Sequence, residues 1–403
     1  MKSLPFTYED IIKTGEETPF YIYDYSEIKE RSEKLKNAFD WVEFKEFFAV
    51  KALPNPYVMK ILYDMGFGMD CSSMAELALS ERIGCTGDNI MFTSNDTPYE
   101  EYKKAKDLGA IINIDDISHL GEIISGELLT EKMCFRYNPG NIAGNSIIGS
   151  SAESKFGSSA GDIIKGIKIL SGKKNIKSGL HAMLVSNCLN ENEILENVRI
   201  IFEFALKIHK ETEINPDFIN IGGGFGIPYR PEEKELDLYS LSYGIKKLYE
   251  KYFLKNNLNP KLYTENGRYI TGPAGYLITK VIHIKDSYKK YAGVDASMAN
   301  LMRPGMYGAY HHISVFGKSE FKCEYDVVGS LCENNDKFAV NRLLPELEKG
   351  DIIVIHDAGA HSHSMGFNYN GKLRCAEFIY KDNNFIKIRR KETLEDLFST
   401  LEV

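Results

Sequence analysis

One rhythm constrains this chain more than any other feature. Eight short apolar runs recur, at 44–53, 68–73, 89–95, 110–115, 132–138, 179–185, 217–223 and 261–267. Stretches with helical spacing lie between them, at 56–65, 74–83, 98–108, 117–124, 161–170, 191–212 and 238–256. Strands that alternate with amphipathic helices argue for parallel strands joined by crossover connections. Eight is the number that closes a (β/α)8 barrel of about 250 residues. The expectation is therefore an α/β fold with a TIM-type barrel over residues 26–272; an open doubly wound sheet is the alternative that periodicity alone leaves standing. Past residue 272 the texture changes. Runs at 275–285, 291–295, 311–316, 325–328, 351–356 and 374–380 follow without long helices between them, which predicts a mostly β C-terminal domain over 273–403. An isolated strand within 18–24, ahead of a charged helix at 26–38, is expected to join residues 1–25 to that second domain.

Composition narrows the function classes. Of 403 residues, 43% are hydrophobic and 26% charged, an ordinary globular balance. A net charge of -8 argues against nucleic acid as a partner, because phosphate binding needs a basic surface. No apolar run reaches membrane-spanning length, and the first residues carry no apolar signal core, so neither membrane nor export is expected. Seven cysteines are scattered without a C-x-x-C pair, which is neither a disulfide framework nor a zinc site. A reducing cytoplasm is the expected home.

In a barrel, chemistry collects at the C-terminal ends of the strands. Those ends carry Lys51, Asp70 with Ser72, Ser94 with Asn95, Arg136 with Asn138, His181 with Ser186, Gly222-Gly223-Gly224, and Glu265 with Arg268. Lys51 ends the run Phe47-Phe48-Ala49-Val50 just before Pro54-Asn55-Pro56. A buried amine there would lose its proton readily and could condense with an aldehyde; a lysine whose charge simply reaches solvent reads the same way in isolation. The triple glycine after Phe218-Ile219-Asn220-Ile221 lets backbone N–H groups approach an anion, or serves turn geometry alone. It is not G-x-G-x-x-G, so a dinucleotide site is disfavoured. Glu265 could hold a protonated ring nitrogen, and Arg268 could clamp phosphate or carboxylate, although a local ion pair would look no different. An amine for an aldehyde, glycine amides for a phosphate and an acid for a pyridinium nitrogen are the contacts that pyridoxal 5′-phosphate needs.

With these residues in view, the sequence resembles the fold type III, alanine-racemase-like pyridoxal-phosphate decarboxylases, and among them the diaminopimelate decarboxylases. The resemblance runs from about residue 17 to the C-terminus. It rests on Phe48-Ala49-Val50-Lys51-Ala52, Ser154-Lys155-Phe156-Gly157, Gly222-Gly223-Gly224, Glu265-Asn266-Gly267-Arg268, the stretch from Asp295 to His311, Cys332-Glu333-Asn334-Asn335-Asp336 and Asn368-Tyr369-Asn370. It implies a head-to-tail homodimer with active sites shared between subunits. Lys51 matches the lysine that takes the cofactor aldehyde, and Glu265 the partner of the pyridine nitrogen. Gly223, Gly224 and Arg268 match phosphate contacts, with Arg268 also near the substrate. Asp70, His181 and Ser186 fall among the cofactor-binding positions. Tyr369 matches a tyrosine that closes over cofactor and substrate. Arg303, Tyr307 and Glu333 match substrate-binding residues, and Cys332 matches a proton donor from the other subunit.

The pair Cys332-Glu333 bears on the substrate, since ornithine decarboxylases usually follow that cysteine with aspartate. Glu333 can pair with a distal ammonium while Arg303 and Tyr307 take a carboxylate. The resemblance thus implies decarboxylation of meso-2,6-diaminopimelate to L-lysine. The alternatives are a decarboxylase of another basic amino acid (ornithine, lysine or a carboxylated polyamine), or a cofactor-binding homologue without turnover. Three positions depart from the family pattern. Met183 stands where a histidine usually stacks on the cofactor ring, His361 where tyrosine is common, and Asn266 where proline is usual. A serine- and glycine-rich segment at 144–161 is the candidate substrate loop, read either as an ordered loop or as a mobile lid.

Overall fold

The structure, a computed structural model, describes residues 2–140, 154–173 and 175–402. Residues 144–153 of the candidate substrate loop lie outside the described residues. The chain divides into two compact units. One comprises Arg31–Ile227 with Glu235–Tyr269; the other comprises the residues up to Glu30, the excursion Pro228–Lys234 and the chain from Ile270 onward.

The first strand, β1 (Phe20–Asp24), belongs to the second unit. The first unit is a closed barrel of eight parallel strands: β2 (Phe44–Ala49), β3 (Gly68–Cys71), β4 (Ile90–Thr93), β5 (Ile111–Ile114), β6 (Lys132–Arg136), β7 (Lys177–His181), β8 (Phe218–Asn220) and β9 (Lys261–Thr264). Closure is made by β9 pairing with β2, Phe44 opposite Leu262 and Glu46 opposite Thr264. The crossover helices start where the local chemistry satisfies their first amides. Asn55 caps the helix Pro56–Asp64 by accepting from the Tyr57 N–H, with proline at the first turn, and Ser73 caps Met74–Arg82 by accepting from Glu76.

Aromatic rings fill the floor of the barrel. Phe47, Met91, Ile111, Cys134, Phe218 and Tyr263 form one buried cluster, with the Phe218 and Tyr263 rings stacked at 4.6 Å. Two glycines make room for these rings. A Cβ on Gly68 would lie 2.5 Å from the Phe47 ring, and one on Gly179 would lie 2.2 Å from the Phe218 ring. Each glycine stands opposite that ring in register.

The second unit is built on an antiparallel-rich sheet. Its later strands are β10 (Gly275–Asp286), β11 (Lys290–Val294), β12 (Ile313–Val315), β13 (Cys323–Val328), β14 (Lys337–Leu344), β15 (Ile352–Ile355), β16 (Ala376–Lys381) and β17 (Asn384–Arg389). The order is β14-β13-β11-β10-β1-β16-β17, with β15 also on β10 and β12 on β15. Strand β1 sits mid-sheet, antiparallel to β10 and parallel to β16. Its two faces are both covered, so Phe20 through Tyr23 are all buried. Phe20 and Ile22 join a core with Phe6, Tyr276, Ile278, Val354 and Phe378. On the opposite face the Tyr21 hydroxyl donates to the Asn300 carbonyl at 2.8 Å and the Tyr23 hydroxyl to Glu377 Oε1 at 2.6 Å. Two strands of this sheet, β14 and β17, lie outside the apolar runs read from the sequence. Both are edge strands. Among the described residues, no helix is long and apolar enough to cross a membrane.

Candidate active site

Side chains alternate along a strand, so the residue two places beyond each floor position faces the same barrel interior one layer higher. That step leads from Phe47, Gly68, Met91, Ile111, Cys134, Gly179, Phe218 and Tyr263 to Ala49, Asp70, Thr93, Asn113, Arg136, His181, Asn220 and Glu265. An apolar floor thus gives way to a ring that is polar everywhere except Ala49. Thr93, Asn113 and Asn220 were not among the expected site residues. Their signal is a lone polar residue in an apolar run, in phase with the floor residue two places before it.

Two buried acids in this ring are pushed in opposite directions. Glu265 Oε2 lies 2.9 Å from His181 Nε2, and Oε1 accepts from Asn220 Nδ2 at 2.6 Å. Burial works to raise the Glu265 carboxyl, but His181, the Lys51 ammonium and the Asn220 bond outweigh it and hold the group below its ordinary value. Asp70 is pushed well above the carboxylate range by burial and by the charge on Glu265, which Lys51 and a hydrogen bond to Thr93 only partly offset. Glu265 is thus held toward the ionised form and Asp70 toward the protonated one.

Of the two readings of Lys51, the structure matches the lysine whose charge reaches solvent. Strand β2 stops at Ala49, and Val50–Ala52 form a 3-10 turn from which the Lys51 side chain is exposed rather than buried. The turn is nonetheless fixed against Glu265. A Cβ on Gly267 would meet the Ala52 Cβ at 2.5 Å and the Ala49 Cβ at 3.2 Å, so the chain just past Glu265 lies directly on the Lys51 turn.

The glycine turn is fused to the same point. Gly222 and Gly224 have φ of +71° and +88°, a region that favours glycine. A Cβ on Gly223 would fall 2.1 Å from the Glu265 carbonyl oxygen, and the Glu265 N–H donates to the Gly222 carbonyl at 2.9 Å. The Gly223 N–H points at the Met183 sulfur, 3.3 Å away. Ser186 and Arg268 are partly buried, Ser186 beyond β7 and Arg268 at the start of the short helix Arg268–Thr271. The stretch Ser154–Gly157 docks onto the rim: the Gly157 N–H donates to Asp115 Oδ1 at 3.1 Å, and the Arg136 guanidinium lies 4.4 Å over the Phe156 ring.

The remaining expected residues lie in the sheet unit. Arg303 begins the helix Arg303–Tyr307 and is buried, not open as a substrate contact would suggest, while Tyr307 is exposed. Arg303 Nη1 donates to the Tyr229 hydroxyl at 2.8 Å and lies 3.1 Å from His311 Nε2. His311 Nδ1 is 2.8 Å from the His356 carbonyl oxygen. A carbonyl only accepts, so Nδ1 carries the hydrogen and Nε2 is the acceptor for Arg303. The helix backbone rests on the turn that bears Cys332 and Glu333, since a Cβ on Gly305 would be 2.3 Å from the Asn335 carbonyl oxygen. That turn is closed by Asp336, which accepts from Leu331 at 2.8 Å and Met298 at 2.6 Å. It is tied to the Tyr369–Gly371 turn by the Cys332 N–H, which donates to Asn370 Oδ1 at 2.7 Å. Cys332, Glu333 and Tyr369 are all exposed in these linked turns. His361 has φ of +53°. The barrel unit therefore gathers Lys51, Asp70, His181, Ser186, Gly223, Gly224, Glu265 and Arg268, and the sheet unit holds Arg303, Tyr307, Cys332, Glu333 and Tyr369.

Comparison with known proteins gives a consistent result. Residues 25–272 match the family described as "Pyridoxal-dependent decarboxylase, pyridoxal binding domain". The chain is 43% identical to protein TabA of Pseudomonas amygdali pv. tabaci, over 94% of this chain and 90% of TabA. It is 36% identical to the diaminopimelate decarboxylase of Methanothermobacter thermautotrophicus, covering 96% and 93% of the two chains. The structure of Helicobacter pylori diaminopimelate decarboxylase complexed with L-lysine superposes with a TM-score of 0.89 at 30% identity, over 98% of each chain. The polar ring suits the cofactor such proteins take. Asp70 Oδ1, Asn113 Oδ1 and His181 Nδ1 are buried without a hydrogen-bond partner among the described residues, and buried polar atoms of this kind call for a polar group between them. Beside them is a glycine turn too tight for any Cβ. The chain is a member of the pyridoxal-dependent decarboxylases, carboxy-lyases that work with pyridoxal phosphate.

Proposed function

We propose that this chain decarboxylates meso-2,6-diaminopimelate to L-lysine. The observation that carries the reading is the buried Glu265 carboxylate, kept ionised by His181 and Asn220 and joined through backbone contacts to both the Lys51 turn and the glycine turn. Lys51 would hold the cofactor by its aldehyde, Glu265 would keep a proton on the ring nitrogen, and Gly223, Gly224 and Arg268 would receive the phosphate, with the Gly223 amide turning to it from Met183. Bound pyridoxal phosphate supplies an electron sink for the bond that loses carbon dioxide. The protein's part is orientation and exclusion of water, to which the aromatic floor contributes from below. Arg303 and Tyr307 take the distal carboxylate, Glu333 the distal ammonium, and Tyr369 closes over the bound pair. The partner subunit's Cys332 returns a proton to the α-carbon in a homodimer with shared sites.

The burial of Arg303 favours a second reading, decarboxylation of ornithine, lysine or a carboxylated polyamine, because its Nη1 is already engaged by Tyr229 and His311. Carbon dioxide release from a substrate panel separates the two. The main reading expects the highest kcat/KM with meso-diaminopimelate, and a fall of about 10- to 100-fold in Arg303→Ala from the loss of a charge-assisted bond. Lys51→Ala should abolish turnover. A higher kcat/KM for lysine or ornithine, with Arg303→Ala inert, would establish the second reading instead.

A further inference from the structure

Glu46 lies inside strand β2 and is 1% exposed. Its neighbour Phe47 points into the barrel floor, so Glu46 faces the opposite side of the strand. A carboxyl has no reason to be buried there unless its oxygens are used. They are used by the two residues that flank Glu265. The Thr264 hydroxyl donates to Glu46 Oε2, the Asn266 backbone N–H donates to Oε1, and Asn266 Nδ2 donates to Oε2 at 3.2 Å. Thr264 and Asn266 are themselves buried to 1% exposure or less. Because side chains alternate, gripping both neighbours on one face fixes the direction of the Glu265 side chain on the other.

The grip extends to the glycine turn. Asn266 Oδ1 accepts from the Phe225 N–H at 3.4 Å, directly after Gly224. One asparagine side chain thus ties the strand that leads to Lys51 to the loop that follows β8, and its backbone is continuous with Glu265. Proline at this position could make none of these three bonds, having neither an N–H nor an amide side chain.

We propose that Glu46 and Asn266 are positioning residues that together hold Glu265 and the glycine turn at the spacing the cofactor's ring nitrogen and phosphate require. The inference rests on Glu265 and the glycine turn being the cofactor contacts. Two groups that act as one unit give non-additive effects when both are removed.

The test uses apoprotein titrated with pyridoxal 5′-phosphate and followed by visible absorbance, with the thermal midpoint of each apoprotein measured alongside. Glu265→Ala is the reference and should raise the cofactor Kd at least tenfold. Asn266→Ala and Glu46→Leu are each expected to raise it about tenfold, and the double variant no further than the weaker single. Glu46→Gln keeps the shape and an acceptor for the Asn266 N–H, and should restore Kd to within threefold of the wild type. A purely structural role would lower the apoprotein midpoint and leave Kd at lower temperature within twofold. That result in Asn266→Ala, with Glu265→Ala weakened, overturns the positioning role and leaves the cofactor reading intact. A wild-type Kd in Glu265→Ala overturns both. Should a variant fail to fold, hydrogen exchange in the wild-type apoprotein decides: the Phe225 and Asn266 amides are expected to be protected, and exchange at the rate of an open loop would remove the clamp.

Discussion

Arg303 is held in place by neighbours before any ligand arrives. Its guanidinium lies 4.8 Å over the Tyr229 ring, with Nη1 shared between the Tyr229 hydroxyl and His311 Nε2. His311 can accept that bond only in the neutral form with hydrogen on Nδ1, which the His356 carbonyl enforces. Replacing His311 by Phe removes an acceptor worth ~1 kcal/mol. Under the proposed reading it should raise KM for meso-diaminopimelate about fivefold while kcat changes less than twofold, read from initial rates of carbon dioxide release. Equal falls in kcat and kcat/KM would refute a role in ground-state binding. The residues legible in the sequence were those whose type is unusual at a strand end, such as Lys51, Asp70, His181 and Glu265. Asn113 and Asn220 were not legible, because one amide in a short apolar run means nothing until the phase of the strand is known. Burial was left open at Lys51 for a related reason: the apolar run continues through Val50 into a turn, and composition does not mark where the strand stops.

At the scale of elements, the barrel floor depends on glycines as much as on aromatic rings. Gly179 leaves no room for a methyl group against Phe218, so Gly179→Ala should destabilise the protein by ~1–3 kcal/mol, the range for overpacked cores. Gly121 offers the contrast. It lies within the helix Ser118–Ser125 with nothing within 4 Å of its would-be Cβ. Gly121→Ala should therefore gain ~0.5–1 kcal/mol. Urea unfolding of both variants checks the pair, and equal effects would show that the floor tolerates repacking. The eight barrel strands and their helices were readable because parallel strands covered on both sides are short continuous apolar runs. Strands β14 and β17 were not, and their position explains it. Each is a sheet edge: β17 is mostly exposed, and β14 mixes three exposed with three buried positions, so neither keeps the clean alternation that marks a strand.

For the molecule as a whole, buried titrating groups set opposing pH limits. Burial lowers His312 to about 4, assisted by the charges of Lys2 and Arg342. It lowers His356 to about 3 and His363 to about 4. Each ordinarily titrates near 6.5, so the unfolded chain takes up protons first, and the stability these groups contribute is lost as pH falls from about 6.5 toward 4. Glu46 acts in the other direction. Burial raises it to about 8 against the pull of Thr264 and Asn266, so stability is lost as pH rises from about 4.5 to 8. Urea unfolding between pH 4.5 and 8 should show His312→Gln flattening the acid limb and Glu46→Gln the alkaline limb, each by ~1–3 kcal/mol. Parallel curves for wild type and variants would place the titrating groups elsewhere. The stacked rings beneath the polar layer also decide the traffic. With Phe47, Phe218 and Tyr263 sealing the base, the barrel is a cup rather than a pipe. In the proposed reaction, amino acid, carbon dioxide and product share one brim, so an accumulating product obstructs the entrance its successor must use.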